Sequence, residues 1–276
     1  MSTGKFNNVQ LFWEQTGNKG EPLVLVHGSW GDHHNWDMVV NEFAKTFMVL
    51  TYDRRGHSES ERKPGQGSVL EDVDDLVALI VDLNLSPAHI VGNSYGAGIV
   101  LKAAAKRADI FRSMVIHEPP LFDLLNDNPN AQKTFETVNE RINVVLDLIA
   151  ADNQEKAAEE FMEKIAMGPG SWERLPDVAK KKFVYNAITW YDEMQDPQSL
   201  QINLSSLKDF KKPTLLSAGS ESPPFFPPVL DKINNALPHA NRIVIEGAGH
   251  VPHMSHAEKY IELVTDFCLA SNEQLH

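Results

Sequence analysis

Two stretches of this chain carry residues whose types and spacing could act together on a carbonyl carbon: Gly92-Asn93-Ser94-Tyr95-Gly96 and Gly247-Ala248-Gly249-His250. A serine hydroxyl is a poor nucleophile at its own pKa, so it needs an imidazole within reach to take its proton. Glycines two residues before and after Ser94 suit a strand-to-helix turn so tight that the serine sits in a strained conformation, costing on the order of 1–3 kcal/mol. The turn lifts the hydroxyl above a sheet edge, with the partial positive charge of a helix N-terminus behind it. Alone the pattern says little, since it arises by chance in roughly one chain of this length in ten. The chain also has eleven histidines, and most histidines are surface or core residues. His250 stands apart because glycines frame it and it directly follows the last expected strand, downstream of the serine.

The elements that must hold these residues alternate along the chain. Residues 9–14 alternate as an edge strand. The run Pro22-Leu23-Val24-Leu25-Val26 is continuously apolar, as expected of a strand buried on both faces of a parallel sheet. It leads into His27-Gly28-Ser29-Trp30-Gly31, a capping Asp32 and a helix to about Phe43. Further strands are expected at 47–52, 89–91, 113–117, 213–218 and 242–245, with helices at 69–83, 97–105, 228–236 and 258–270 and a loop at 63–67. Between Pro119-Pro120 and about Lys211 only helical segments are found, at 131–151, 153–167, 177–191 and near Ser205. This pattern predicts an α/β core over 1–120 and 212–276, interrupted by a helical lid over 121–211. In such sheets ligands bind beyond the carboxyl ends of the strands. Ser29, Asp53, Ser94, Glu118, Glu221 and His250 all fall at those ends.

Composition narrows the partners. The 276 residues suffice for one large α/β domain with an insertion, and 42% hydrophobic with 23% charged residues is ordinary for a globular protein. A net charge of −13 leaves no basic cluster to track phosphates, so no nucleic-acid partner and no anionic membrane surface is expected. Cys268 is the single cysteine, which excludes internal disulfides and a thiolate metal site. The N-terminal residues lack an apolar signal region and no apolar run is long enough to span a membrane, so a cytoplasmic location is the expectation.

With these pieces in order, the chain resembles the α/β-hydrolase superfamily over nearly its whole length. The residues that carry the likeness are His27-Gly28 after a buried strand, Asp53-Arg54-Arg55-Gly56-His57-Ser58, Gly92-Asn93-Ser94-Tyr95-Gly96 and Gly247-Ala248-Gly249-His250. The resemblance implies an eight-stranded, mostly parallel sheet with an inserted helical cap. It also implies an oxyanion hole from the backbone N–H of Tyr95 and one N–H after Gly28, assigned to Ser29 with Trp30 as the competitor. Such donors are worth about 2.7–4 kcal/mol each toward a transition state.

The third member of a serine–histidine–acid set departs from the superfamily's usual pattern. The family most often keeps an Asp before a Pro in the loop after the strand at 213–218. Here that loop reads Gly219-Ser220-Glu221-Ser222-Pro223-Pro224, and the matching residue, Ser222, carries no charge. Glu221 could substitute from one position earlier. Glu118, in His117-Glu118-Pro119-Pro120, resembles the acid placement of the haloalkane-dehalogenase branch. Glu118 is preferred because strand ends position groups more firmly than loops. Chain order does not separate the two, since both lie between Ser94 and His250.

Other conspicuous residues have plainer roles. Asp53 and Arg55 should brace the loop over the sheet, and His27 should hydrogen-bond backbone. His253 and His256 lie on the way into the last helix, as structural or pocket-lining residues. Adjacent histidines in Asp32-His33-His34 point apart and no carboxylate cluster is expected beside them, so neither a metal nor a cofactor is expected. Trp30, Phe122, Phe225, Phe226, Trp190 and Tyr191 could wall a pocket or pack a core. The resulting expectation is a serine hydrolase of small esters or lactones, a monomer or homodimer with a small-molecule substrate. C–C bond hydrolysis of dienoic ketones, cofactor-free perhydrolysis and a slow-turnover ligand receptor remain open. A dehalogenase is disfavoured, because that chemistry needs an aspartate where this chain has Ser94.

Overall fold

Continuous apolar runs build the middle of an eight-stranded sheet. The computed structural model describes residues 2–63 and 67–273, so residues 64–66 of the expected loop lie outside it. In chain order the elements are β1 (Ser2–Phe6), β2 (Val9–Thr16), β3 (Pro22–Val26), α1 (Val40–Phe43), β4 (Met48–Tyr52), α2 (Val69–Asp82), β5 (Ala88–Asn93), α3 (Tyr95–Lys106) and β6 (Phe111–His117). Four helices follow: α4 (Pro129–Ala150), α5 (Gln154–Phe161), α6 (Ser171–Arg174) and α7 (Asp177–Gln195). The alternation then resumes with β7 (Thr214–Gly219), α8 (Phe226–Ala236), β8 (Asn241–Ile245), α9 (Pro252–Ser255) and α10 (Ala257–Glu273). No helix among the described residues is long and apolar enough to cross a membrane.

The strands lie in the order β1-β2-β4-β3-β5-β6-β7-β8. From β4 to β8 all neighbours are parallel, while β2 runs antiparallel to both β1 and β4. The period-2 rule explains why β3 reads as apolar throughout. Val24 and Val26 join the cluster under α2, α3 and α8, whereas Leu23 and Leu25 enter a second cluster with Trp36, Phe43 and Tyr260 on the opposite face.

Topology fixes where chemistry can happen. Strands β4 and β5 flank β3, so the chain changes direction across it and the loops after β3 and β5 part to leave a crevice. Val26 pairs with Gly92, and Asn93 pairs with His117. The next residues, Ser94 and Glu118, therefore leave neighbouring strands side by side.

Two expectations in the N-terminal part of the chain are corrected. Residues 9–14 are not at the sheet edge, because β1 pairs outside them. That strand is short, polar and largely exposed, so hydropathy does not reveal it. The signal that could have found it is Asn7-Asn8, both at positive φ (42° and 65°), a two-residue hairpin turn. The helix expected from Asp32 to Phe43 is broken into a 3₁₀ turn, His33–Trp36, and α1. Asp32 does cap the first piece, accepting from the His34 N–H. Trp36, Val39 and Phe43 keep helical spacing and share one cluster, which is why the sequence reads as a single helix.

The helices between β6 and β7 have their own core, in which Ile142, Ala158, Trp172, Ala187 and Trp190 meet Trp30 from the loop after β3. The stretch expected as one helix at 153–167 is α5 followed by a π turn, Met162–Ala166. One face of α7 is polar yet turned inward. Lys182, Asn186, Thr189 and Glu193, at spacings of four, three and four, all bond to the loops after β3 and β4 or to Arg62.

Candidate active site

Ser94 lies between the last residue of β5 and the first of α3, at φ 55° and ψ −125°, a conformation that L-residues avoid. Close approach explains the two glycines beside it. A Cβ on Gly92 would sit 2.6 Å from the Ala97 Cα, and one on Gly96 would sit 2.3 Å from the Val26 carbonyl oxygen. Gly96→Ala should therefore force helix and sheet apart and destabilise the fold by about 2–3 kcal/mol. An unchanged thermal midpoint would overturn that account. Strain is also localised. Among the described residues at positive φ, those that are not Gly, Asn or Asp are Trp30, Ser58, Ser94 and Glu118, all at the carboxyl edge of the sheet.

The structure brings Glu118 and His250 together. Glu118 is fully buried; its Oε2 lies 2.7 Å from His250 Nδ1, and its Oε1 accepts the Gly219 N–H at 2.8 Å. Burial alone would raise its carboxyl. The hydrogen bond from His250 first, with the electrostatic influence of the neighbouring imidazoles and the nearby Ser222 hydroxyl, outweighs burial and holds it below the usual carboxylate range. His250 is only 15% exposed. Asn93 Nδ2 donates to its carbonyl at 3.0 Å, and Phe226 stacks on its ring at 4.7 Å and 13°. Behind it, burial first of all lowers His117 to about 4 and His253 to about 3, so both neighbours stay neutral. Glu221, by contrast, is exposed, and its carboxylate meets the Ser220 hydroxyl rather than a histidine.

The loop after β3 closes the other side. A Cβ on Gly28 would lie 3.0 Å from the Ser94 Cβ, so this loop runs against the nucleophile candidate. Tyr95 is the first residue of α3, so its N–H has no acceptor within the helix. Ser29, Ser94, Tyr95 and His250 all line one narrow cavity of about 80 Å³, walled by Phe122, Ile142, Phe161, Trp190, Phe225 and Phe226 among others. No Asp, Glu, Lys or Arg lies among its described lining residues. Trp30 is not in that wall. Its indole stacks on Phe161 at 4.8 Å within the helical insertion, and Tyr191 likewise packs there.

Asp53 braces the loops, accepting from the His33 N–H (2.8 Å), His33 Nδ1 (2.6 Å) and the Glu59 N–H (3.0 Å). Arg55 grips Asp75 through two 2.6 Å bonds. His27 donates from Nδ1 to the Gly28 carbonyl and accepts the Arg54 N–H at Nε2. His253 is buried against Trp36, at 4.5 Å between ring centres. One expectation fails here: carboxylates do accompany His33, since Asp32, His33 and Asp53 bring ligand atoms within 4.8 Å of one another. Those atoms are already engaged, with Lys182 Nζ 2.9 Å from Asp32 supplying a cation in place of a metal.

Sequence reasoning missed Arg54 and Glu193. Arg54 is 1% exposed beneath the loop after β3, and Glu193 on α7 meets it at 2.6 Å. The available signal was the polar stripe of α7 at helical spacing, which looks like a solvated face until its partners are known.

Known proteins are similar to this chain in sequence or in fold. YraK, an uncharacterised hydrolase of Bacillus subtilis, is 34% identical over 151 residues, 52% of this chain and 56% of that protein, little more than half its length. The proline iminopeptidase of Heyndrickxia coagulans is 24% identical over 280 residues, covering 96% of each chain. Among solved structures, a thermophilic esterase from Thermogutta terrifontis matches with a TM-score of 0.75 at 22% identity, over 98% of this chain and 99% of that one. The enol-lactonase from Burkholderia xenovorans LB400 matches at 0.73 and 20% identity, over 96% and 99%. At such identities these structures speak for the fold alone. The model of the alpha/beta hydrolase fold family matches residues 21–257, and this chain belongs to that family.

Proposed function

We propose that this protein is a serine hydrolase that cleaves small, uncharged carboxylic esters or lactones through an acyl-enzyme on Ser94. In this reading Glu118 holds the Nδ1–H tautomer of His250, which leaves Nε2 to take the Ser94 proton as the oxygen attacks the carbonyl carbon. The N–H groups of Tyr95 and Ser29 receive the developing oxyanion. His250 then gives the proton to the departing alkoxide, releasing the alcohol. Water, deprotonated by the same nitrogen, attacks the acyl carbon, freeing the acid and restoring Ser94. Residues 121–211 act as a cap that limits the volume of the acyl group.

The observation that supports this reading is the cavity itself: Ser94 and His250 both open onto it, and its described walls carry no charged side chain. A dienoic ketone acid would bring a carboxylate, and an iminopeptidase substrate an ammonium, into a site without a countercharge. Burying either is unfavourable by several kcal/mol. Neutral esters and lactones carry no such penalty.

The test is kcat/KM on phenyl acetate, phenyl butyrate and a γ-lactone, beside a prolyl anilide and a dienoic ketone acid, with fluorophosphonate labelling followed by intact mass. One adduct, and neutral esters or lactones preferred by about 100-fold or more, is the expected result. A preference for the charged substrates would overturn the ester reading. Absence of an adduct and of all turnover would favour a ligand receptor.

A further inference from the structure

We infer that Glu193, reaching from α7 into the core, is a positioning residue that holds the oxyanion loop in place and so ties the helical insertion to catalysis. This rests on the reading of Ser94 as nucleophile and of the Ser29 N–H as oxyanion donor.

The geometry is specific. Glu193 is 5% exposed; its Oε2 accepts the Ser29 hydroxyl at 2.6 Å and its Oε1 accepts Arg54 Nη2 at 2.6 Å. The same guanidinium donates through Nε to the His27 carbonyl at 3.2 Å and through Nη2 to the Gly28 carbonyl at 3.3 Å. Its remaining partners are Asp72 at 3.1 Å, His57 Nε2 at 3.2 Å and the face of Tyr95, 5.0 Å from the ring centre. Glu193 therefore grips the loop twice, at a side chain directly and at two carbonyls through Arg54.

Peptide planarity turns this grip into an orientation. In a trans peptide the carbonyl of Gly28 and the N–H of Ser29 point to opposite sides. With the Gly28 oxygen held by His27 Nδ1 at 2.8 Å and by Arg54 Nη2 at 3.3 Å, the Ser29 N–H points to the opposite side of the C–N bond, and Ser29 lines the cavity. Without Glu193, the Ser29 side chain loses its anchor and Arg54 loses its shortest partner. The loop then keeps the His27 bond to Gly28 but loses its grip at Ser29 and the anchor of Arg54, and a misplacement of about 1 Å at a reacting site can cost 10²-fold in rate. Charge-assisted bonds of this length are the strong ones, which suits a clamp. A substrate that displaces α7 would loosen the oxyanion donor with it, so the same link makes catalysis sensitive to how the insertion is seated.

The experiment compares wild type with Glu193→Ala, Glu193→Gln, Ser29→Ala and the Glu193→Ala/Ser29→Ala pair. Readouts are kcat and KM on a neutral phenyl ester, the second-order rate of fluorophosphonate labelling, and thermal midpoint. Glu193→Ala should lower kcat about 10- to 100-fold with KM within about threefold, and slow labelling by a similar factor. Glu193→Gln should recover most of that loss, because its oxygen can keep Arg54 while its amide donates to the Ser29 oxygen. Ser29→Ala should add less on the Glu193→Ala background than alone. A fall in thermal midpoint with kcat and labelling per folded molecule unchanged would mean that Glu193 is structural only, and would overturn the inference while leaving Ser94 as nucleophile. If wild type itself takes no label and hydrolyses no ester, the inference and the reading beneath it fall together.

Discussion

Glu118→Gln is expected to lower kcat by about 10⁴-fold, while Glu221→Gln stays within about twofold of wild type. The reason is tautomeric. A glutamine at 118 can still accept the Gly219 N–H through its oxygen, but it then presents its NH₂ to Nδ1 of His250, 2.7 Å away in the native site. A donor there is satisfied only if Nδ1 is unprotonated, which puts the ring proton on Nε2, the atom that accepts from Ser94 in the proposed mechanism. Geometry survives and the base is lost. Ser94→Ala sets the floor of the same series, at about 10⁶-fold in kcat. Ser222 adds a rescue. It occupies the position where the superfamily usually keeps its acid, and its hydroxyl lies close enough to favour the charged form of Glu118. Ser222→Asp on the Glu118→Gln background should recover at least about tenfold by giving His250 a second carboxylate. Steady-state kinetics on a neutral ester decides all of this, and an active Glu118→Gln enzyme would remove Glu118 from the mechanism.

The legible and illegible parts of this site differ in their range along the chain. The turn at Ser94 was readable because its causes are local: a buried apolar strand, glycines that admit helix and sheet, then a helix. The parallel sheet was readable for the same reason, since β3 is apolar on both faces and β5 through β7 each carry a short apolar run that needs no partner to be recognised. The hairpin strand β1 was not, because its exposed polar residues pair through backbone alone. Choosing between Glu118 and Glu221 needs the register of β6 against β7, which order in the chain does not contain. Arg54 and Glu193 lie 139 residues apart, and neither carries a mark that distinguishes a buried charge from a solvated one. The broken helix after Asp32 shows the converse, since its apolar spacing is obeyed while its backbone is not helical throughout.

Mild acid, between pH 7.5 and 5.5, should destabilise this protein through its buried histidines. Burial is the largest cause holding His89 and His117 at about 4 and His253 at about 3, and it also carries His27 and His57 well below their ordinary value. An imidazole with a folded pKa below its unfolded value of about 6.5 stays neutral in the native state while the unfolded chain binds protons. Its stabilising contribution is therefore complete above about 6.5 and is lost as pH falls from there toward the folded value. Between pH 7.5 and 5.5 each such group removes about 1.4 kcal/mol, so His89, His117 and His253 together remove about 4 kcal/mol, and His27 and His57 add to this. Opposing groups are fewer. Burial raises Asp72 and Asp75 to about 6, which returns about 2 kcal/mol over the same interval, and His33, raised by Asp53 against its own burial, acts in that direction too. The balance is a loss of several kcal/mol from a native state typically worth only about 5–15 kcal/mol. Urea unfolding at pH 7.5, 6.5 and 5.5 measures it directly, and a midpoint that holds or rises toward pH 5.5 would sink the account. His253→Phe isolates one member, because neither ring nitrogen has a hydrogen-bond partner and a phenyl ring can keep the stacking on Trp36. Its stability curve should be flatter by about one proton, retaining about 1.4 kcal/mol more of its pH 7.5 stability at pH 5.5 than wild type does.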